Sequence, residues 1–165
     1  MILACTEVEA QWKNVLSENG YQKSEKTKAG KLVLIDKKYW NTKDYVKLVT
    51  KMKLNEYFIV FEQYPSIFEL KPFVDWNSGK PTESLIWYSA YNSVKHNREG
   101  KFEEATLENA INAVAAVIVV FIAQYNEQSP IPRVYVKSQP NLNYEYMDIL
   151  SKEDASPPER VDCKF

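Results

Sequence analysis

From the second residue onward, apolar side chains recur at three- and four-residue spacing. Ile2, Leu3, Cys5, Val8, Trp12, Val15 and Leu16 share one helical face, and Asn19-Gly20 supplies the stop. No capping residue precedes Ile2, so the pattern predicts that a further turn or helix lies upstream in the natural domain. Between residues 22 and 39 the periodicity gives way to lysines, with Val33-Leu34-Ile35 as the expected buried anchor. Asn41 or Thr42 suits the N-cap of a short helix over 43–52, with Tyr45, Val46, Val49 and Met52 on its apolar face. Residues 57–61 and 66–70 are β-prone runs and predict a small hairpin, whose register Pro65 leaves open.

A second helical pattern begins at Thr82, the expected N-cap, and runs to Lys95 or His96. Thr106 then caps a long helix from 107 to about 126. Its C-terminal half is apolar all round, the pattern of a helix enclosed by others. The apolar run 113–123 falls short of the roughly 20 residues that span a bilayer, so no membrane partner is expected. Beyond Ser129 the chain is punctuated by Pro130, Pro132, Pro140, Pro157 and Pro158, with one short strand expected at Val134-Tyr135-Val136. These elements predict a mainly α fold: a helical bundle over residues 1–128 with a small hairpin. An irregular C-terminal tail, 129–165, is expected to pack on it.

Length and composition narrow this further. A chain of 165 residues with 45% hydrophobic and 26% charged residues fits one globular domain. A net charge of −1 removes the whole surface as a polyanion-binding face, so any basic patch must be local. Arginine, the bidentate phosphate clamp, occurs only at 98, 133 and 160, which counts against a dedicated nucleic-acid reader. Cys5 and Cys163 have no metal-type spacing. With no signal peptide they read as reduced thiols of a cytoplasmic protein, and no metal or cofactor is expected.

The candidate chemistry lies in Tyr91-Asn92-Ser93-Val94-Lys95-His96-Asn97-Arg98, which holds the single histidine. On a helix, Tyr88, Asn92 and His96 form one stripe and Tyr91 and Lys95 the next. His96 falls at the helix C-terminus, where the macrodipole favours positive charge. Asn92, Lys95, His96 and Arg98 are therefore the candidate site residues. They admit three roles: capping the helix end on carbonyls of the following loop, binding a phosphate, or catalysis. A hydrolase with Tyr91 or Ser93 as nucleophile is a weaker option, since no carboxylate is evident to orient His96. The pairs Glu7/Glu9 and Glu103/Glu104 are expected on solvent faces. Trp12, Trp76 and Trp87 are expected in the core, and Trp40 is expected to be partly exposed.

The segment resembles the HEPN superfamily of small helical domains, many of them metal-independent endoribonucleases. Their signature is an arginine, often followed by asparagine, with a histidine a few residues on. Asn92 and His96 match those positions, and Tyr91 stands where the arginine belongs. The likeness is closer to bacterial HEPN-like proteins through Trp87, Tyr88, Ala90, Tyr91, Asn92, Val94, Lys95, His96 and Arg98. Flanking matches are Pro72-Phe73, Trp76, Phe102, Ala105-Thr106-Leu107 and the opening Ala4-Cys5-Thr6-Glu7-Val8-Glu9, so the likeness spans roughly residues 4–125. The resemblance implies a homodimer that joins two copies of the motif, with RNA or a nucleotide as ligand. It also implies RNA cleavage by the 2′-hydroxyl in a bacterial stress or defence system. The alternative is a non-catalytic dimerisation or interaction module whose His96 motif is a structural helix cap.

Overall fold

The computed structural model describes residues 1–60 and 69–125, together with the backbone of 135–138. It is mainly helical. Helix α1 spans Ile2–Glu18, and its Cys5, Val8, Trp12, Val15 and Leu16 are buried as the periodicity requires. Ile2 and Leu3, which the same pattern assigned to the inner face, are exposed at the helix start. Asn19 closes the helix and Gly20 follows with a φ of +75°, a conformation that glycine adopts without strain.

Of the expected buried anchor at Val33–Ile35, Ile35 is half-buried, whereas Val33 and Leu34 lie exposed on a strand. Strand β1 (Lys23–Lys26) pairs antiparallel with β2 (Leu32–Ile35), and Leu32, Val33 and Leu34 face solvent. The pattern was misleading because the connecting residues 27–31 form a tight hairpin loop. The Thr27 carbonyl accepts from the Gly30 N–H at 2.8 Å, and Gly30 sits at φ +78°.

Asn41 caps the next helix with a full capping box, its side chain accepting from Lys43 N–H while Asp44 accepts from Asn41 N–H. The single helix expected over 43–52 divides at Val46 into α2 (Thr42–Tyr45) and α3 (Lys47–Met52). Trp40, expected to be partly exposed, is buried edge-on against Tyr21, with ring centroids 5.0 Å apart. Of the hairpin expected over 57–70, the described residues show an antiparallel bridge between Ile59 and Leu70, its two hydrogen bonds each 2.9 Å; residues 61–68 lie outside the described part. Strand β3 (Tyr57–Val60) also takes a distant partner.

Helix α4 spans Ile86–His96 and starts three residues later than a cap at Thr82 would place it. The Thr82 hydroxyl is engaged with that of Thr42 at 2.6 Å. The Trp76 indole N–H donates to the Pro81 carbonyl at 2.7 Å, and the Asn77 N–H donates to the Ser84 hydroxyl at 3.2 Å. These bonds hold the approach to α4 as a series of turns. A short α5 (Arg98–Lys101) follows directly, then α6 (Leu107–Tyr125), whose Asn109 N–H is capped by the Thr106 hydroxyl at 3.1 Å. By length and composition α6 is long and apolar enough to cross a membrane, although its uninterrupted apolar run is short. In this fold its Ala113, Ala115, Ala116, Val119 and Val120 are fully buried, and it packs along α1 with α4 closing against both. Strand β4 (Tyr135–Ser138) lies antiparallel to β3, with Ile59 opposite Val136. The strand expected at 134–136 is thus seen at Tyr135 and Val136, and Val134 lies outside the described residues. The rest of the C-terminal extension, 129–165, and how it packs lie outside the described residues.

Trp12 is the centre of the core. It stacks on Trp76 at 4.6 Å between centroids and touches the rings of Tyr45, Phe73, Trp87 and Tyr88 within 6.3 Å. Trp87 is pinned by an indole bond of 2.8 Å to the Pro72 carbonyl. Offset and tilted aromatic pairs of this kind each add roughly 0.5–1.5 kcal/mol beyond area burial. The cluster fixes which face of α4 turns inward, and with it which motif residues can reach solvent.

Candidate functional site

Trp87, Tyr88, Ala90, Tyr91 and Val94 form the buried face of α4, so the motif is divided between core and surface. Tyr91 is 1% exposed. Tyr91, the residue compared above with the arginine of the HEPN signature, therefore points into the core. Its phenol oxygen accepts from the Lys95 ammonium at 2.9 Å. Lys95 also lies over the Tyr91 ring and 3.9 Å from the Glu9 carboxylate. The Tyr91 bond, and then Glu9, hold the Lys95 ammonium above its usual range despite some burial.

Glu9, assigned to a solvent face by its neighbour Glu7, is half-buried and accepts a hydrogen bond from the Tyr88 hydroxyl. Burial and that bond push the Tyr88 phenol far up. The nearby Cys5 thiol, fully buried, is pushed up to about 12 by desolvation. Cys5, Glu9, Tyr88, Tyr91 and Lys95 thus form a polar seam between α1 and α4. A signal for Glu9 exists in the sequence: it falls four residues after Cys5 and three before Trp12, on the border of the buried face. The matching hydroxyl on α4 gave no such sign.

Asn92 is half-buried, and His96 and Arg98 are exposed. The helix-capping role expected of Asn92, Lys95 and His96 is not what these side chains do. Lys95 is held by Tyr91, and no hydrogen bond of the Asn92 or His96 side chain is present among the described residues. Asn97 performs the local capping instead, its Oδ1 accepting from Gly100 N–H at 3.1 Å. A Cβ at Gly100 would meet the Asn97 amide at 2.8 Å, so a larger residue there would displace the Asn97 side chain from its cap. Of the two nucleophile options, Tyr91 is buried and Ser93 half-buried. The Ser93 hydroxyl turns to Glu104, whose carboxyl Lys101 and then Ser93 hold below its usual range.

Beside the motif lies an open cleft of about 560 Å³ between the start of α1, the end of α4 and the start of α6. Leu3, Val94, Phe102, Leu107 and Ala110 supply an apolar lining, and Arg98 stands in its wall. Leu3, Phe102 and Leu107 are 86%, 61% and 76% exposed, a concentration of large apolar side chains that a lone surface leucine would not explain. The charges on the adjoining α5 segment are mixed: Arg98 and Lys101 against Glu99, Glu103 and Glu104. Among the described residues no group of three or more His, Cys, Asp or Glu side chains gathers to hold a metal ion. Comparisons of the chain with protein-family models, curated proteins and solved structures find no match.

Proposed function

We propose that this chain is a HEPN-like helical domain that acts as a protein-interaction module and pairs with a second copy through the cleft formed by α1, α4 and α6. The observation that carries the reading is the exposed apolar lining, Leu3, Phe102 and Leu107, beside a segment of nearly balanced charge. A two-fold interface brings one patch against its own copy, so it needs apolar matter at the centre and both signs of charge at the edge. The α5 segment offers both signs within a few residues. The polar seam of Glu9, Tyr88, Tyr91 and Lys95 is then structural, locking α4 to α1 behind the interface.

Hydrogen exchange tests this directly. The first amides of α6 have no helical acceptor, so they exchange fast in a monomer. They should slow as protein concentration rises if the cleft is the interface, while the tip of the β1–β2 hairpin should not change. Equal exchange at all concentrations would contradict the reading.

A second reading is RNA binding or cleavage, and one observation favours it: His96 and Arg98 are exposed two positions apart with no side-chain partner among the described residues. A general acid–base imidazole gains from a group that fixes its tautomer and orientation, and among the described residues none bonds His96. Pairing two copies would bring two such ends together. Incubation with structured RNA, comparing wild type with His96→Ala, separates the two readings. Cleavage that the variant loses would establish the nuclease, and no cleavage leaves the interaction module.

A further inference from the structure

Residues 22–38 carry six lysines against Glu25 and Asp36, a local +4 in a chain whose total charge is −1. The fold gathers most of this segment into the β1–β2 hairpin, whose two strands pair with each other and, among the described residues, with no further strand. The register sets Leu32 opposite Lys26 and Leu34 opposite Ser24 on one face, and Val33 opposite Glu25 on the other. Leu32 is 62% exposed, Leu34 65% and Val33 41%. Lys23 is tied to buried Asp44 at 3.2 Å and anchors the base of the hairpin. Lys26, Lys28 and Lys31, near the tip, are exposed and form no ion pair among the described residues.

We propose that this hairpin is a membrane-surface anchor, in which the outer lysines engage anionic lipid headgroups and Leu32 and Leu34 enter the boundary with the acyl chains. Charge complementarity selects an anionic partner, and the apolar side chains select its kind. A polynucleotide backbone offers phosphates but no apolar medium for leucines, and no arginine or exposed base-stacking ring stands at the tip. An acidic peptide would lie along one face of the ribbon, whereas apolar side chains are exposed on both. A fluid interface wets both faces at once. Lysines suit that setting, their stems lying in the apolar layer while the ammonium groups stay with the headgroups. Four-residue strands at about 3.3 Å per residue give the ribbon a length of roughly 13 Å. That is enough to reach the depth of some 5–10 Å at which interfacial elements sit. No membrane-crossing helix is involved, and the proposal is independent of pairing through the cleft.

The test is co-sedimentation of the whole chain with vesicles of phosphatidylcholine alone and of phosphatidylcholine mixed with phosphatidylserine. Binding is expected only to the mixed vesicles. Reversing Lys26, Lys28 and Lys31 to glutamate should weaken it by roughly a hundredfold, at about 1 kcal/mol or more per cation near an anionic surface. Leu32→Ser with Leu34→Ser, which leaves charge unchanged, should weaken it at least about tenfold. Leu34→Ser alone gives a milder control, and tryptophan fluorescence from Trp12 and Trp40 reports that each variant is folded. No binding to mixed vesicles, or binding that the leucine variants keep in full, would overturn the proposal. So would capture by polyglutamate or by structured RNA that needs the lysines but not the leucines.

Discussion

Tyr88 and Glu9 are joined across α1 and α4, and their bond shows how a titratable pair can be structural. Removing the hydroxyl in Tyr88→Phe leaves the half-buried carboxylate with only Lys95 at 3.9 Å. The cost should be about 1–3 kcal/mol in urea unfolding, because a group at the edge of the core loses its acceptor or donor partner. A second expectation concerns alkaline pH. The Cys5 thiol is pushed up from 9.0 to about 12, and the phenols of Tyr21 and Tyr45 from 10.0 to about 12, in each case first by burial. The unfolded chain releases these protons at the lower values and the folded chain keeps them, so above about pH 9 the folded state binds more protons. The stability they contribute is whole below pH 9 and declines as pH rises through 9 to 12. Urea midpoints across that range should fall, and Tyr45→Phe should flatten the fall; a level profile would contradict it. The same buried Cys5 should resist thiol reagents until the protein unfolds, as peptide mapping would show.

At the scale of elements, side-chain caps were the more readable signals. Asn41 and Thr106 both do what their residue types suggest, because each bonds within its own first turn. Asn41→Ala should therefore cost about 1 kcal/mol, measured by thermal or urea unfolding, as N-cap losses do. Thr82 has the same chemistry but bonds Thr42, 40 residues away. Thr82→Ala should leave the start of α4 unchanged, since Leu85 occupies the N-cap without a side-chain bond. Amide exchange at Trp87 and Tyr88 checks this. What was not legible shared one cause, dependence on distant chain. Val33 to Ile35 looked like a core segment by composition, yet a glycine-closed turn folds it back on Lys23–Lys26 and leaves Val33 and Leu34 in solvent. Tyr57–Val60 was recognisable as a strand and bridges to Leu70 nearby, but its pairing with Tyr135–Ser138, some 75 residues on, had no local signal. Trp40 lies beside lysines in sequence, yet the fold places it in the core, with Tyr21 edge-on against it.

For the whole molecule, three helices and a tryptophan-centred core hold one end of the bundle, where the motif and the apolar cleft meet. The motif was found from sequence because its residues are local: Asn92, Lys95, His96 and Arg98 fall within seven positions. Their division between a structural seam and a surface was not legible, because it depends on which face of α4 meets α1. The cleft could not be read at all, since its walls come from residues 1–3, 94–98 and 102–110. The claim that this end pairs with a second copy is tested most directly by sedimentation equilibrium of the whole chain and of Leu107→Asp. The account predicts that the wild type approaches twice the 19.2 kDa chain mass as concentration rises, while the folded Leu107→Asp protein stays at the monomer mass. A wild type that remains monomeric at every concentration, or a Leu107→Asp protein that dimerises as well as wild type, would contradict it.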